Sequence, residues 1–154
     1  MPPVRTYAYE AMFLIGQAAS ANLPDVIDHI KDIFNRAGAE LIAMKKWDER
    51  RLAFEIKKQK RGLYILTYFR AQNTALPGIE RDVNLSERIL RVMILRADHL
   101  TEDEMRASDA RDALETEARM RARAAEEGAA AQPEMPEPAA VAEEAEEEGE
   151  PAEA

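Results

Sequence analysis

Residues Ala39–Ala71 read AELIAMKKWDERRLAFEIKKQKRGLYILTYFRA. From Ala39 to Lys58 there is neither glycine nor proline, and both ends, ELIAMKKW and RRLAFEIKK, alternate with the two-residue period of an extended chain. LYILTYFRA, Leu63–Ala71, is a second run rich in β-branched and aromatic residues. Two strands joined by the charged corner KKQKRG form a hairpin, with the corner at its tip.

The flanking segments complete a pattern. Upstream, Thr6–Ile15 mixes aromatic, β-branched and apolar residues and stops at Gly16, as a buried strand does. LPDVIDHIKDIFNRAG then places Val26, Ile27, Ile30, Ile33 and Phe34 on one helical face, with Pro24 in the first turn, Asp25 and Asp28 at its positive end, and Gly38 as C-terminal cap. Downstream, Leu76, Ile79 and Val83 mark a short second helix ending near Asn84, and RILRVMILR, Arg88–Arg96, is a fourth strand.

The order βαββαβ predicts an α+β, ferredoxin-like sandwich: a four-stranded antiparallel sheet, strand order 4-1-3-2, with two helices on one face and an acidic C-terminal extension. The expected organisation is a domain over residues 1–100, a charged helical extension over 101–127 and a disordered Ala/Glu/Pro tail over 128–154. TEDE, Thr101–Glu104, is a capping-box signature, while ALETEARMRARAAEE carries charge pairs and almost no apolar stripe, which suits a solvated helix. The tail composition buries too little apolar surface to offset its ordering entropy.

Charge divides the same way. The chain carries a net −9, yet residues 1–100 hold 16 basic and 12 acidic side chains, against 5 and 18 in residues 101–154. A mildly basic domain therefore bears an acidic appendage. Lys45–Gly62 alone concentrates eight basic residues against three acids. With no cysteine, there is no disulfide, thiolate nucleophile or cysteine-bearing metal site. The apolar run Ala11–Ile15 is too short for a signal peptide or a membrane span, and a cytoplasmic protein is expected.

Both faces of the predicted sheet are apolar, and two helices cover only one. With Phe13, Ile65, Phe69, Val92 and Ile94 under the helices, the opposite face exposes Met12, Leu14, Tyr64, Leu66, Tyr68, Met93 and Leu95. A patch of this kind marks a protein partner, unless the C-terminal helix folds back over it or the chain self-associates.

Catalysis has little support: His29 and His99 are isolated surface histidines, Gly62 and Gly78 form no phosphate loop, and no cofactor or metal site is expected. RNA contact fits better. Arg61-Gly62 opens the third strand as in an RNA-recognition motif, but Leu63 and Ile65 stand where that motif stacks bases on aromatic rings. Phosphate contact by the clustered Lys57, Lys58, Lys60 and Arg61 remains, beside the bland reading of a charged turn that guards an edge strand.

DERRLAFEIKK, Asp48–Lys58, resembles the signature of the bacterial small-subunit ribosomal protein six family: glycine, any residue, a basic one, a polar one, Leu-Ala-Tyr-x-Ile, then a basic one. Arg50, Arg51, Leu52, Ala53, Ile56 and Lys57 match it, whereas Asp48 stands for the glycine and Phe54 for the tyrosine. Trp47, YEAMFLI, GLYILTYF and ERILRVMILRAD are similar to the family as well, so the resemblance spans about residues 5–98.

The resemblance implies a structural 30S component that binds the central domain of 16S ribosomal RNA together with small-subunit ribosomal protein eighteen. The RNA contacts expected are Arg5, Arg50, Arg51, Lys57, Lys58, Lys60, Arg61 and Arg91. The protein contacts expected are Met12, Leu14, Trp47, Tyr64, Leu66, Tyr68 and Met93. The alternative is a protein-interaction or regulatory module that uses the open sheet face without RNA.

Overall fold

In the computed structural model, which describes residues 3–130, the elements run β1 (Thr6–Gly16), α1 (Gln17–Ser20), α2 (Leu23–Arg36), β2 (Glu40–Ile56), β3 (Gln59–Gln72), a 3-10 turn (Asn73–Ala75), α3 (Leu76–Leu85), β4 (Ile89–Arg96), α4 (Glu102–Ala107) and α5 (Arg111–Ala130). The sheet is antiparallel in the order β2-β3-β1-β4. That is the predicted 4-1-3-2 order read from the other edge.

The helix face holds the core, where Phe13, Ile15, Ile65 and Phe69 meet Leu23, Ile30, Ile33 and Phe34 of α2 and Ile79 of α3, all at most 1% exposed. Phe34 sits at the centre, 4.7 Å from the Phe69 ring and 5.8 Å edge-on from Phe13. Burying each such ring contributes about 1.5–3 kcal/mol. Thr67 is also fully buried there, and its hydroxyl donates to the Ala11 carbonyl at 3.2 Å. Gly38, at φ +67°, closes α2: its successor Ala39 donates N–H to the Phe34 carbonyl at 2.9 Å.

The C-terminal extension is where structure and expectation part. Residues 101–121 are not a solvated appendage but a strap around edge strand β2, and residues 123–128 continue it as an exposed helix. The capping box forms as the sequence indicates: Thr101 Oγ1 accepts from the Glu104 N–H and Glu104 Oε2 from the Thr101 N–H. α4 then sets Met105, 2% exposed, on Ile42, Ala43, Leu66, Tyr68 and Ala97 of the open face.

The chain next crosses the edge of β2. Ala110 N–H donates to the Met44 carbonyl at 3.0 Å, Asp109 Oδ1 accepts from the Met44 N–H at 3.0 Å, and the Arg111 guanidinium donates to the Ile42 carbonyl at 2.9 Å. α5 finally buries Leu114 and Ala118 in the main core. It is described as far as Ala130; of the tail expected to be disordered over 128–154, residues 131–154 lie outside the described residues.

Ion pairs clamp the strap: Lys31–Glu115 at 2.6 Å, Lys46–Glu117 at 2.9 Å, Arg121–Glu49 at 2.6 Å and Arg70–Glu102 at 2.5 Å. The bond from Arg121 holds Glu49 below its ordinary carboxyl value, Arg106 and Arg70 do so for Glu102, and Lys31 for Glu115. Burial works against ionisation of Glu117 and Asp109, yet Lys46 and Arg121 on the one, and Arg111 and the Met44 N–H on the other, leave both lowered.

Groups whose native pKa is depressed stabilise the fold above their ordinary values, 4.5 for Glu and 3.8 for Asp, and lose that contribution as pH falls through the lower native ones. Acid is therefore expected to weaken the strap. Amide protection factors, taken against the intrinsic rate at each pH, should fall across residues 102–118 below pH 4.5 before those of Phe34 or Phe69; simultaneous loss would mean the strap and the core open as one unit.

Candidate nucleic-acid and protein interface

The β2–β3 hairpin ends in a two-residue turn, with Ile56 paired to Gln59 and Lys57 and Lys58 both at positive φ, 47° and 65°. The corner is thus shorter than KKQKRG, because Gln59 already belongs to β3. A turn with two left-handed residues matches the strand twist, but it favours Asn-Gly; two lysines are held there at a cost of about 1–2 kcal/mol each. What the lysines supply instead is charge at the tip.

Before the turn β2 departs from a regular strand. Arg51 pairs with Arg61, and the next pair is Ile56 with Gln59, so Leu52–Glu55 stands opposite the single residue Lys60. This bulge corrects the alternation expected through RRLAFEIKK. It also carries Leu52 and Phe54 over the open sheet face.

All eight expected RNA contacts are exposed, namely Arg5, Arg50, Arg51, Lys57, Lys58, Lys60, Arg61 and Arg91. Arg51 and Arg61 lie directly across the ladder from each other, a like-charge pair that an anion between them relieves. Among the described residues, none of these eight except Arg50 has a carboxylate partner within 4 Å. Arg50 is the exception, 2.6 Å from Asp48 and 4.9 Å over the Trp47 ring. Arg5 lies at the start of β1 and is tied to Asn73, with its N–H on Oδ1 at 3.1 Å.

Asp48 tolerates the place of the signature glycine without strain. The ladder bulges at Trp47, but Asp48 is not at positive φ, and its carboxylate accepts from the Glu49 N–H at 2.8 Å and from Arg50. Those two bonds lower its pKa, the backbone one most.

The expected protein contacts divide into two groups. Leu66 and Tyr68, 6% and 8% exposed, lie beneath Met105 of α4 and are withdrawn from the open patch. Folding-back of the C-terminal segment over the face therefore accounts for this half. The other half remains a groove of about 320 Å³ lined by Met12, Leu14, Leu52, Phe54, Tyr64 and Met93, with Arg91 at its rim.

Phe54 (63% exposed) and Met93 (55%) are bare, Trp47 packs edge-on against Tyr64 at 5.7 Å, and the Arg91 guanidinium lies 5.7 Å from the Phe54 ring. Leu14 is buried within the chain, because β3 offers Gly62 beneath it. A Cβ at Gly62 would lie 2.4 Å from the Leu14 Cδ1 and 3.1 Å from the Leu52 Cδ2. Leu52 and Phe54 belong to this groove although the sequence pattern alone, blind to the bulge, did not place them there.

The histidines do not form a reactive group. His29 is half-buried rather than on the surface, 2.7 Å from the Ser86 hydroxyl, and burial followed by Arg88 and Arg36 lowers its pKa. The nearby Asp25 carboxylate is taken by Arg88, and His99 is exposed at the end of the fourth strand. No helix among the described residues is long and apolar enough to cross a membrane.

Exchanging the turn for the pair it favours separates charge from stability. Lys57→Asn with Lys58→Gly is expected to raise unfolding stability by about 1–2 kcal/mol while weakening RNA binding. Thermal denaturation and an RNA-binding assay on one preparation check both; a destabilised variant would contradict the strained-turn reading.

Comparison with known proteins closes the question of kinship. The family model for ribosomal protein S6 matches residues 8–96. The small ribosomal subunit protein bS6 of Desulforamulus reducens is 34% identical over 89 residues, 57% of this chain and 94% of that protein, and that of Fusobacterium nucleatum 30% over 91 residues, 58% and 97%. The crystal structure of 30S ribosomal protein S6 from Thermotoga maritima superposes with a TM-score of 0.57 at 26% identity, covering 67% of this chain and 98% of that one. With this sheet order, this hairpin and a match over more than half its length, the chain belongs to the ribosomal protein S6 family.

Proposed function

We propose that this protein is a non-catalytic, structural component of the small ribosomal subunit that binds the central domain of 16S ribosomal RNA through its basic hairpin and small-subunit ribosomal protein eighteen through the apolar groove. The observation that carries the reading is the juxtaposition, on an S6-family fold, of cations without carboxylate partners among the described residues and an uncovered apolar groove, with β2 and β3 contributing to both and β1 and β4 completing the groove.

Lys57, Lys58, Lys60 and Arg61 project from the tip, where they can approach a phosphate backbone as a cluster, and Arg51 and Arg91 extend the basic surface. Phosphate contacts of this kind position a protein on folded RNA rather than reading its bases, and they release counterions on binding. Phe54, Tyr64 and Met93 supply the aromatic and methionine content typical of the centre of a protein interface.

Binding of the purified chain to a central-domain RNA fragment, with and without protein eighteen, tests the reading. The expected result is salt-sensitive RNA binding that tightens when the partner is present. Salt-independent or absent RNA binding, combined with a stable homodimer buried through Tyr64, would favour the alternative of a protein-interaction module acting without RNA.

A further inference from the structure

The open sheet face is divided between two occupants, and Met12 stands at the border. On one side it packs against the cluster that α4 closes over Leu66 and Tyr68, and on the other it lines the groove. The segment responsible lies outside residues 8–96 matched by the family model, and the 89 residues aligned with the Desulforamulus reducens protein already take in 94% of that protein. Such a relative has almost no chain left to build this cover.

The cover is also firmly seated. Displacing it would expose Met105, Leu114 and Ala118, free Arg70 and Lys31 from their carboxylates, leave Lys46 with Glu49 alone, and strip both the N–H and the carbonyl of Met44 of partners at a sheet edge. A mobile lid needs few buried contacts and few bonds to break. This segment has the opposite character.

We propose that α4, anchored by the β2 edge crossing and by α5, is a fixed wall of the docking face: it fills the Leu66–Tyr68 half in cis and confines the protein partner to the groove between Met12 and Phe54. The partner's contact is then a short apolar segment laid over Leu14, Tyr64 and Met93, bounded at one end by α4 and at the other by the bulge of β2. This inference rests on the reading that a protein partner uses the sheet face, and it adds where that partner stops.

Hydrogen exchange on the full chain, alone and saturated with protein eighteen and the central-domain RNA fragment, separates the two. The expected result is new protection at residues 12–14, 52–56 and 91–93, with residues 42–44 and 102–118 unchanged. Loss of protection in 102–118 on binding would overturn the wall while leaving the partner reading intact, whereas absence of any partner binding would overturn both.

Two full-chain variants give a second readout. Met93→Asp is expected to weaken partner binding by at least ~10-fold, as loss of a central contact does, whereas Met105→Asp, which loosens α4, is expected to leave it within about threefold. Should Met105→Asp fail to fold, Asp109→Ala removes the bond to the Met44 N–H and the ion pair with Arg111, leaves the Ala110–Met44 bond in place, and carries the same expectation. A loss from either strap variant as large as that from Met93→Asp would make α4 part of the binding surface and end the proposal.

Discussion

Reversing the four charges at the hairpin tip, with Lys57, Lys58, Lys60 and Arg61 all changed to Glu, is expected to lower RNA affinity by at least ~100-fold near physiological salt. The four cations are exposed and have no carboxylate partner among the described residues. A phosphate backbone is the kind of anion that would neutralise them together. Each phosphate contact releases counterions and steepens the plot of log affinity against log salt by about 0.7–0.9, so a four-contact loss flattens it by roughly 3. Lys57 and Lys58 form the turn, and Lys60 and Arg61 are exposed at the adjoining start of β3, so the melting temperature should change little. An unchanged slope in a folded variant would remove the hairpin from the RNA interface.

The second large effect belongs to the groove. Tyr64→Ala removes the ring that packs against Trp47 and stands 5.9 Å from the Arg50 guanidinium, and it opens the floor on which Phe54 and Met93 border. A central aromatic contact of this kind is worth about 2–4 kcal/mol of binding, so partner affinity should fall by roughly 30-fold or more. RNA binding in the absence of the partner should fall far less, because the tip cations are remote from Tyr64 and only Arg50 among the expected RNA contacts lies against its ring. Calorimetry with the isolated partner checks the first expectation, and equal losses for partner and RNA would mean that the two surfaces are not separate.

How much of this was legible in the sequence depends on which physical signal each part leaves. The sheet, its order and the two covering helices follow from hydrophobic period: Ile30, Ile33 and Phe34 recur at helical spacing, and Phe13, Ile65 and Phe69 alternate along strands. The exposure of the basic residues is equally direct, since the cost of burying an unpaired charge keeps them at the surface.

Three features leave no periodic trace. The strap is anchored by one apolar residue in α4, Met105, by Leu114 and Ala118 four apart in α5, and otherwise by ion pairs and the crossing bonds at Met44. Such a pattern is indistinguishable from that of a solvated helix, which is why Leu66 and Tyr68 were expected to be open. The bulge at Leu52–Glu55 depends on register with β3, a long-range property that alternation within one strand does not contain. The left-handed turn at Lys57-Lys58 contradicts local preference and is held by the strands around it.

The acidic segment complicates a simple electrostatic picture, because part of it is structural. Glu102, Glu115 and Glu117 each neutralise a cation of the domain, Arg70, Lys31 and Lys46 respectively. Those three basic residues are thus engaged by the strap, and the uncompensated charge is concentrated at the hairpin. The segment that carries the family signature also builds the tip, the bulge and one wall of the groove.

The central claim is that this protein is a small-subunit component held by RNA and protein contacts together. Its most direct test is sedimentation of cell extracts through a sucrose cushion after a high-salt wash, with the protein followed by antibody. The account predicts that the wild-type chain travels with small subunits through the wash, while the variant lacking both the four tip cations and Tyr64 remains at the top. A wild-type chain that stays entirely in the soluble fraction at low salt would contradict it.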